Sequence, residues 1–364
     1  MKVLFLSNAA SIHTVRWVNA LANRGHEIHL VFKKDDQPRD NEISNKVILH
    51  SLKYGGNKAY FTSAFELHKL YKKIKPDVVN AHYASGYGTL ARIAKLKPLI
   101  LSVWGSDVYD FPYQSKIKMN LIKKNLLYAD KIASTSNCMA DQVRKLLNSN
   151  SVDITVTPFG VDIEKFSRKN ESQNKEKICI GNIKTLAPKY GITDLIKAVR
   201  ILKDNLVKKG LREISDNIVV QIYGDGMQRE EILDLIKQLQ LEDTVELKGR
   251  IPNHEVPAAL EKMDIFCLTS VFESFGVSAV EAMALELPVV ATDVDGFKEV
   301  VENDVTGIIV QRKNPAAIAK ALEKLVLNKE TRLEMGKNGR NRVIELYDWN
   351  RNVDTMLELY KSIS

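Results

Sequence analysis

Short, wholly apolar runs alternate along this chain with longer stretches whose apolar positions recur at helical spacing. Val3-Leu4-Phe5-Leu6 has no polar position, which predicts a strand buried on both faces of a parallel sheet. Ile12 to Asn23 predicts a helix, closed at Arg24-Gly25 where glycine ends it. Glu27 to Phe32 predicts a second strand. Ala64 to Ile74 predicts a helix, followed by Lys75-Pro76-Asp77 and a strand from Val78 to Ala81. Pro98 to Val103 and Lys131 to Ser134 predict two more strands, with a helix over Lys116 to Tyr128 between them. This rhythm predicts a parallel sheet with helices on both faces.

The rhythm then breaks and restarts. Pro158 to Asp162 is turn-rich, and residues 167–177 hold no apolar side chain and read as a linker. Strands follow at Ile178 to Ile180, Ile218 to Tyr223, Thr244 to Leu247, Ile265 to Leu268 and Val289 to Ala291. Helices are predicted at Thr193 to Lys203, Glu230 to Leu239 and Ser278 to Leu285. The fold class is therefore α/β, with two Rossmann-like, doubly wound domains joined near 165–175. In such sheets ligands bind beyond the carboxyl ends of the strands. A cleft between two such domains is the expected site.

The length of 364 residues agrees with two domains. Cys138, Cys179 and Cys267 are odd in number and far apart, which predicts reduced thiols, a cytoplasmic chain and no zinc site. No apolar run reaches the roughly 18 residues of a membrane span. The apolar start ends at Ser7-Asn8, too soon for a secretory signal. Charge changes the picture more. Residues 1–165 carry 24 Lys and Arg against 14 Asp and Glu, whereas residues 166–364 carry 29 against 31. The basic first half points to an acidic partner: nucleic acid, an anionic membrane surface or a phosphorylated substrate. A coding bias toward lysine would give the same excess.

Four segments carry candidate chemistry. Glu273-Ser274-Phe275-Gly276-Val277 precedes a helix that carries Glu281. Amides converging at a helix start favour an anion, and two carboxylates can hold vicinal hydroxyls. The same acids also read as a helix-dipole residue and a surface charge. Gly224-Asp225-Gly226 is half of a dinucleotide fingerprint and lacks the rest, so it also reads as a plain tight turn. Lys184 and Lys189 share one strand-end loop and could neutralise a diphosphate, or be two solvated lysines. Lys116 to Tyr128 is basic and amphipathic, suited to an anionic membrane or to an ordinary solvated face.

The second half resembles the family-4 retaining glycosyltransferases of the GT-B fold. The likeness runs through the KYG loop, YGDGMQREEILDLI, VELKGRIPNHEV, DIFCLTSVFESFGVSAVEAMALELPVVATDVDGFKEVV and NDVTGIIV. Its hallmark is the pair of glutamates eight positions apart in ESFGVSAVE. RWVNALANRGHEIHLV, KPDVVNAHYASGYG, LSVWGSDVY and TPFGVDIEKF extend it to the first half, and the tail YDWNRNVDTMLELYKSIS resembles a final helix that crosses back. The resemblance implies an acceptor-binding domain over 1–166 with the helix 347–364 returning to it, and a donor-binding domain over 175–346.

It also implies roles. Glu273 would contact the donor sugar, and Ser274, Phe275, Gly276 and Val277 would surround sugar and phosphate with backbone amides. Glu281 would hold the ribose, and Arg250 and Ile251 would meet the base. Gly224 would let its loop approach the donor, and Lys184 and Lys189 would sit on the diphosphate. The chain departs from the family at three positions: Lys184 stands where arginine is common, Tyr190 precedes Gly191 with Lys189 one place earlier, and Trp104 stands where many members carry histidine. His13, His82, Trp104 and Asp107 are the acceptor-side candidates.

The function implied is retaining transfer of a hexose from a nucleotide-diphosphate sugar, with UDP as the expected nucleotide. The acceptor would be lipid-diphosphate-linked or a saccharide, in capsule or O-antigen-type polysaccharide synthesis. The enzyme would be peripheral at the inner face of the membrane. No cofactor or obligatory metal is expected, because Asp293-Val294-Asp295 spells DxD away from a donor strand. A GT-B sugar-nucleotide epimerase is the alternative. A nucleic-acid binder rests on charge alone and lacks a recognition motif, so no nucleic-acid partner is expected.

Overall fold

The computed structural model describes residues 1–39, 42–169 and 177–364. The chain divides into two compact units. The first is Met1–Phe159 together with Asn350–Ser364, and the second is Gly160–Trp349. The first unit thus ends at Phe159 rather than at 166, and the chain returns to it at Asn350 rather than at 347. Of the expected linker 167–177, residues 170–176 lie outside the described residues.

The first unit is a seven-stranded parallel sheet. Its strands are β1 (Lys2–Leu6), β2 (Glu27–Phe32), β3 (Val47–Ser51), β4 (Val78–His82), β5 (Leu99–Val103), β6 (Lys131–Ser134) and β7 (Ile154–Val156), in the order β3-β2-β1-β4-β5-β6-β7. Strands β1, β4 and β5 are buried almost throughout, which is why they read as unbroken apolar runs. Edge strand β3 is exposed at Ile48 and Leu49, so its short run gives no burial signature. The terminal helix Trp349–Lys361 is anchored from within this unit. Asn80 Nδ2 donates to the buried Tyr360 hydroxyl at 2.7 Å, and Ser102 Oγ donates to Asn80 Oδ1 at 2.9 Å.

The second unit is a six-stranded parallel sheet. Its strands are β8 (Ile178–Ile183), β9 (Ile218–Tyr223), β10 (Val245–Gly249), β11 (Ile265–Leu268), β12 (Val289–Thr292) and β13 (Gly307–Val310), in the order β10-β9-β8-β11-β12-β13. The helix Ile192–Lys208 covers it with Leu195, Ile196, Val199, Leu202 and Leu206, all buried. Val161 and the segment Tyr347–Trp349 pair side by side, with Val161 N donating to Tyr347 O and Trp349 N to Val161 O. The start and end of the unit are thereby fastened together. None of the three cysteines forms a disulfide among the described residues, and burial pushes the Cys267 thiol up to about 12. No helix among the described residues is long and apolar enough to cross a membrane.

Candidate functional site

In the second sheet the strand order reverses between β8 and β11. At such a reversal the loops leaving the two strands diverge and open a crevice. The loop after β8 carries Lys184, and the loop after β11 carries Glu273. They meet there: Lys184 Nζ lies 2.6 Å from Glu273 Oε2, with both side chains largely shielded. The ammonium also stands 5.1 Å from the Tyr190 ring centre and 6.0 Å from that of Phe297. Lys189 lies 4.8 Å from the same Tyr190 ring. The structure therefore groups both predicted lysines around the ring of Tyr190, the residue that stands beside Gly191 in place of a lysine.

The backbone beneath these lysines is fixed by close contacts. Lys189 O accepts from Val271 N at 2.9 Å, and Tyr190 O accepts from Thr269 Oγ1 at 3.1 Å. Gly191 has φ +61°, and a Cβ there would fall 2.2 Å from the Thr269 carbonyl oxygen. Gly224 has φ +148°, and its Cβ would fall 1.9 Å from the Lys184 carbonyl oxygen. Only glycine permits that approach. The Lys184 backbone packs against Gly224 on this side, so the glycine sets the height of the lysine loop.

The segment Glu273–Gly276 is laid against Gly296, whose N–H donates to Glu273 O at 3.1 Å. Phe275 is 2% exposed and packs edge-on against Tyr347, so it can offer a ligand only its backbone. Gly276, at φ +104°, caps the helix Val277–Ala284. Val277 and Ser278 open that helix, and Glu281 stands half-buried on its second turn. Ser274 is half-buried in the same loop. Arg250 (exposed) and Ile251 (half-buried) follow β10, where Gly249 O accepts from Gly224 N at 2.8 Å.

Asn182 Oδ1, Ser270 Oγ and Ser278 Oγ are among the buried polar atoms of this unit with no hydrogen-bond partner among the described residues. Asn182 closes the apolar run ICIGN and Ser270 follows IFCLT, so polar residues at the ends of strands were the available signal. Asp293 and Asp295 already face cations: Arg312 lies 3.3 Å from Asp293, and Lys298 lies 2.9 Å from Asp295.

The first unit has its own reversal, between β1 and β4. There Ser7 Oγ lies 3.1 Å from His82 Nδ1 and 2.7 Å from Thr14 Oγ1. His82 is fully buried between Phe5 and Trp104, whose ring centres stand 5.2 and 4.2 Å away. Burial first, and then nearby His13, hold its imidazole down to about 3. His13 stacks on Phe159 at 4.0 Å, and burial followed by Arg16 takes it down to about 4. His82 Nε2 and His13 Nδ1 have no hydrogen-bond partner among the described residues.

Trp104 gathers His13, His82, Tyr83 and Phe159 around its ring. Three of the four acceptor-side candidates thus form one cluster. Asp107 does not present its carboxylate to a ligand. It is buried, and it accepts from Ala84 N, Trp104 N and Gly105 N at 2.8, 3.2 and 2.9 Å, which makes it the clasp of the Trp104 loop. Sequence reasoning missed Tyr83, a bulky residue at φ +69° whose phenol is raised to about 12, chiefly by burial. Left-handed backbone at such a residue is strain of the kind found at functional sites.

Residues 162–342 match the family model of glycosyl transferases group 1, and residues 2–136 match that of glycosyl transferase 4-like proteins. The chain is 27% identical over 318 residues to the UDP-Gal:alpha-D-GlcNAc-diphosphoundecaprenol alpha-1,3-galactosyltransferase of Escherichia coli, covering 82% of this chain and 78% of that protein. It is 27% identical over 346 residues to the capsular polysaccharide biosynthesis glycosyltransferase CapM of Staphylococcus aureus, covering 90% and 87%. A solved sucrose-phosphate synthase from Thermosynechococcus elongatus superposes with a TM-score of 0.84 at 19% identity, over 100% of this chain and 98% of that one.

Proposed function

Because this chain belongs to the GT-B glycosyltransferases of the family-4 type, we propose that it transfers a hexose from a UDP-sugar, with retention, to a lipid-diphosphate-linked or saccharide acceptor. The pathway would be cell-surface polysaccharide synthesis, and the enzyme would work at the inner face of the membrane. The observation that carries this reading is the shielded Lys184–Glu273 pair at the reversal of the second sheet. It sets a cation for a diphosphate directly beside a carboxylate for sugar hydroxyls. The UDP-sugar named for the Escherichia coli relative, and the capsule named for the Staphylococcus aureus one, support the donor and the pathway.

As the glycosidic bond breaks, negative charge grows on the departing β-phosphate. Lys184, with Lys189 beside it, neutralises that charge, and the backbone amides of Phe275, Gly276 and Val277 add donors at the helix start. Glu273 exchanges its lysine partner for hydroxyls of the sugar. Glu281 holds the ribose, and the backbone of Arg250 and Ile251 meets the base. The acceptor hydroxyl attacks the face that the phosphate leaves, and a phosphate oxygen takes its proton, so retention needs no side-chain nucleophile. Charge neutralisation by lysine and amides makes the reaction metal-independent in this scheme.

The test is calorimetry of the full chain with UDP, GDP, ADP and dTDP, each with and without Mg²⁺, for wild type and Glu281→Ala. UDP binding without metal, weakened at least tenfold by Glu281→Ala, is the expected result. No nucleoside diphosphate binding at all would sink the reading.

A further inference from the structure

The helix Lys116–Tyr128 buries Ile122 and Leu126 against its unit, yet it also buries a polar residue and leaves two large aliphatic ones in water. On its buried side stands Asn125, whose Nδ2 donates to Ala84 O and Thr89 Oγ1, both at 2.7 Å. Its Oδ1 accepts from Arg92 Nε at 2.7 Å. On its outer side Ile117 is 82% exposed and Leu127 is 72% exposed. Ile117, Asn120, Lys124 and Leu127 follow at spacings of three, four and three, so they share one face of the helix. Lys116 and Lys123 flank that face, and Tyr113, 59% exposed, stands in the preceding turn Phe111–Gln114. A surface depression of about 560 Å³ lies between turn and helix, lined by Tyr113, Ser115, Lys116, Met119 and Lys123 among others.

The charge here has one sign. Residues 111–129 hold Lys116, Lys118, Lys123 and Lys124 and no Asp or Glu. Large aliphatic tips ringed by lysine suit the boundary of an anionic bilayer, where the tips leave water and the ammonium groups reach phosphate. A second copy of the same face fits poorly, because a two-fold contact would set these lysines against one another. A nucleic-acid backbone would use the lysines and leave Ile117 and Leu127 in water.

We propose that this face docks the first unit onto an anionic phospholipid surface. Tyr113, Ile117 and Leu127 enter the headgroup boundary, and Lys116, Lys123 and Lys124 meet the lipid phosphates. This deepens the membrane-side reading above and rests on it, by naming the surface that carries it.

The test is flotation of the full chain with vesicles of equal phosphatidylglycerol and phosphatidylcholine, and with pure phosphatidylcholine. The expected result is binding to the anionic vesicles alone, weakened by salt. Lys116→Gln/Lys123→Gln/Lys124→Gln should lower partitioning roughly a hundredfold, at about fivefold per lysine. Ile117→Ser/Leu127→Ser should lower it at least tenfold, with UDP binding and melting unchanged in both variants. Vesicle binding that neither variant weakens would overturn the proposal and place the membrane face elsewhere. No vesicle binding, with UDP binding intact, would overturn it and leave the donor site standing. Self-association in ultracentrifugation that the same variants abolish would give the face to a second copy and overturn it too.

Discussion

Both sheets reverse direction at an equivalent place, between β1 and β4 in the first unit and between β8 and β11 in the second. The chemistry set there is opposite. In the second unit a lysine and a glutamate face each other as ions beside tyrosine and a helix start. In the first unit two imidazoles are held neutral among Phe5, Trp104 and Phe159. One crevice is built to receive charge and the other to exclude it. A diphosphate needs the former. In the proposed reaction a saccharide hydroxyl, which must be relieved of water before it reacts, would be served by neutral hydrogen-bonding atoms on an aromatic floor.

The largest effect should come from the charged side. Lys184→Ala should lower sugar transfer roughly a hundred- to a thousandfold, as loss of a preorganised charge at a leaving group does, read as kcat. Next is Gly224→Ala, whose Cβ would meet the Lys184 carbonyl oxygen at 1.9 Å. It should cost at least about 2 kcal/mol in denaturant unfolding, because backbone rather than a flexible tip must move. Tyr360→Phe removes the oxygen acceptor of the buried Asn80 amide, leaving it the Met356 sulfur at 3.9 Å, and should cost about 1–2 kcal/mol.

The neutral side makes a prediction about pH. His13 and His82 titrate near 4 and 3 when folded and near 6.5 when unfolded. Below pH 6.5 the unfolded chain therefore binds more protons, so their contribution is full above 6.5 and is lost as pH falls toward 4. His82→Leu should flatten that part of the stability curve; an unchanged slope would remove the neutral-crevice half of the comparison. The smallest effect is expected for Glu273→Gln. It frees Lys184 from its ion pair, so UDP should bind a few-fold tighter by calorimetry while transfer falls. Weaker UDP binding in that variant would mean that Glu273 helps to hold the nucleotide rather than competing for the lysine.

The legible parts of the chain were those whose physics is local. Buried parallel strands such as Val3–Leu6 and Ile265–Leu268 are apolar runs in any context. The ESFGVSAVE segment holds its loop, cap and helix within nine residues, so its layout could be read directly. Edge strand β3, the helix Lys329–Leu346 and the short β7 gave weak signals and were passed over, as was Pro315–Leu327 despite its asparagine cap and apolar stripe. The helix Lys329–Leu346 is mostly polar, so its period hardly shows in the sequence.

The first-unit site was legible only as a set of names. His13, His82 and Trp104 are far apart in sequence, and their meeting depends on β1, β4 and β5 lying side by side. Asp107 was a candidate because Gly105-Ser106-Asp107 matches the Gly-x-Asp element of the resemblance. Its three backbone donors come from two separate segments and could not be foreseen. Gly224 was marked as special by the sequence, and the structure adds the carbonyl oxygen of Lys184 that packs against it.

The Asn80–Tyr360 bond orders events during synthesis. Asn80 lies on a central strand of the first unit, yet its amide finds its partner some 280 residues later. A ribosome delivers β1 to β7 early, then the whole second unit, and only afterwards the segment that closes the first. The unit begun first is therefore completed last. Until residue 360 emerges, a buried amide at Asn80 waits without its acceptor. A released chain truncated after Trp349 should accordingly show a protease-resistant second unit and a first unit still open to cleavage.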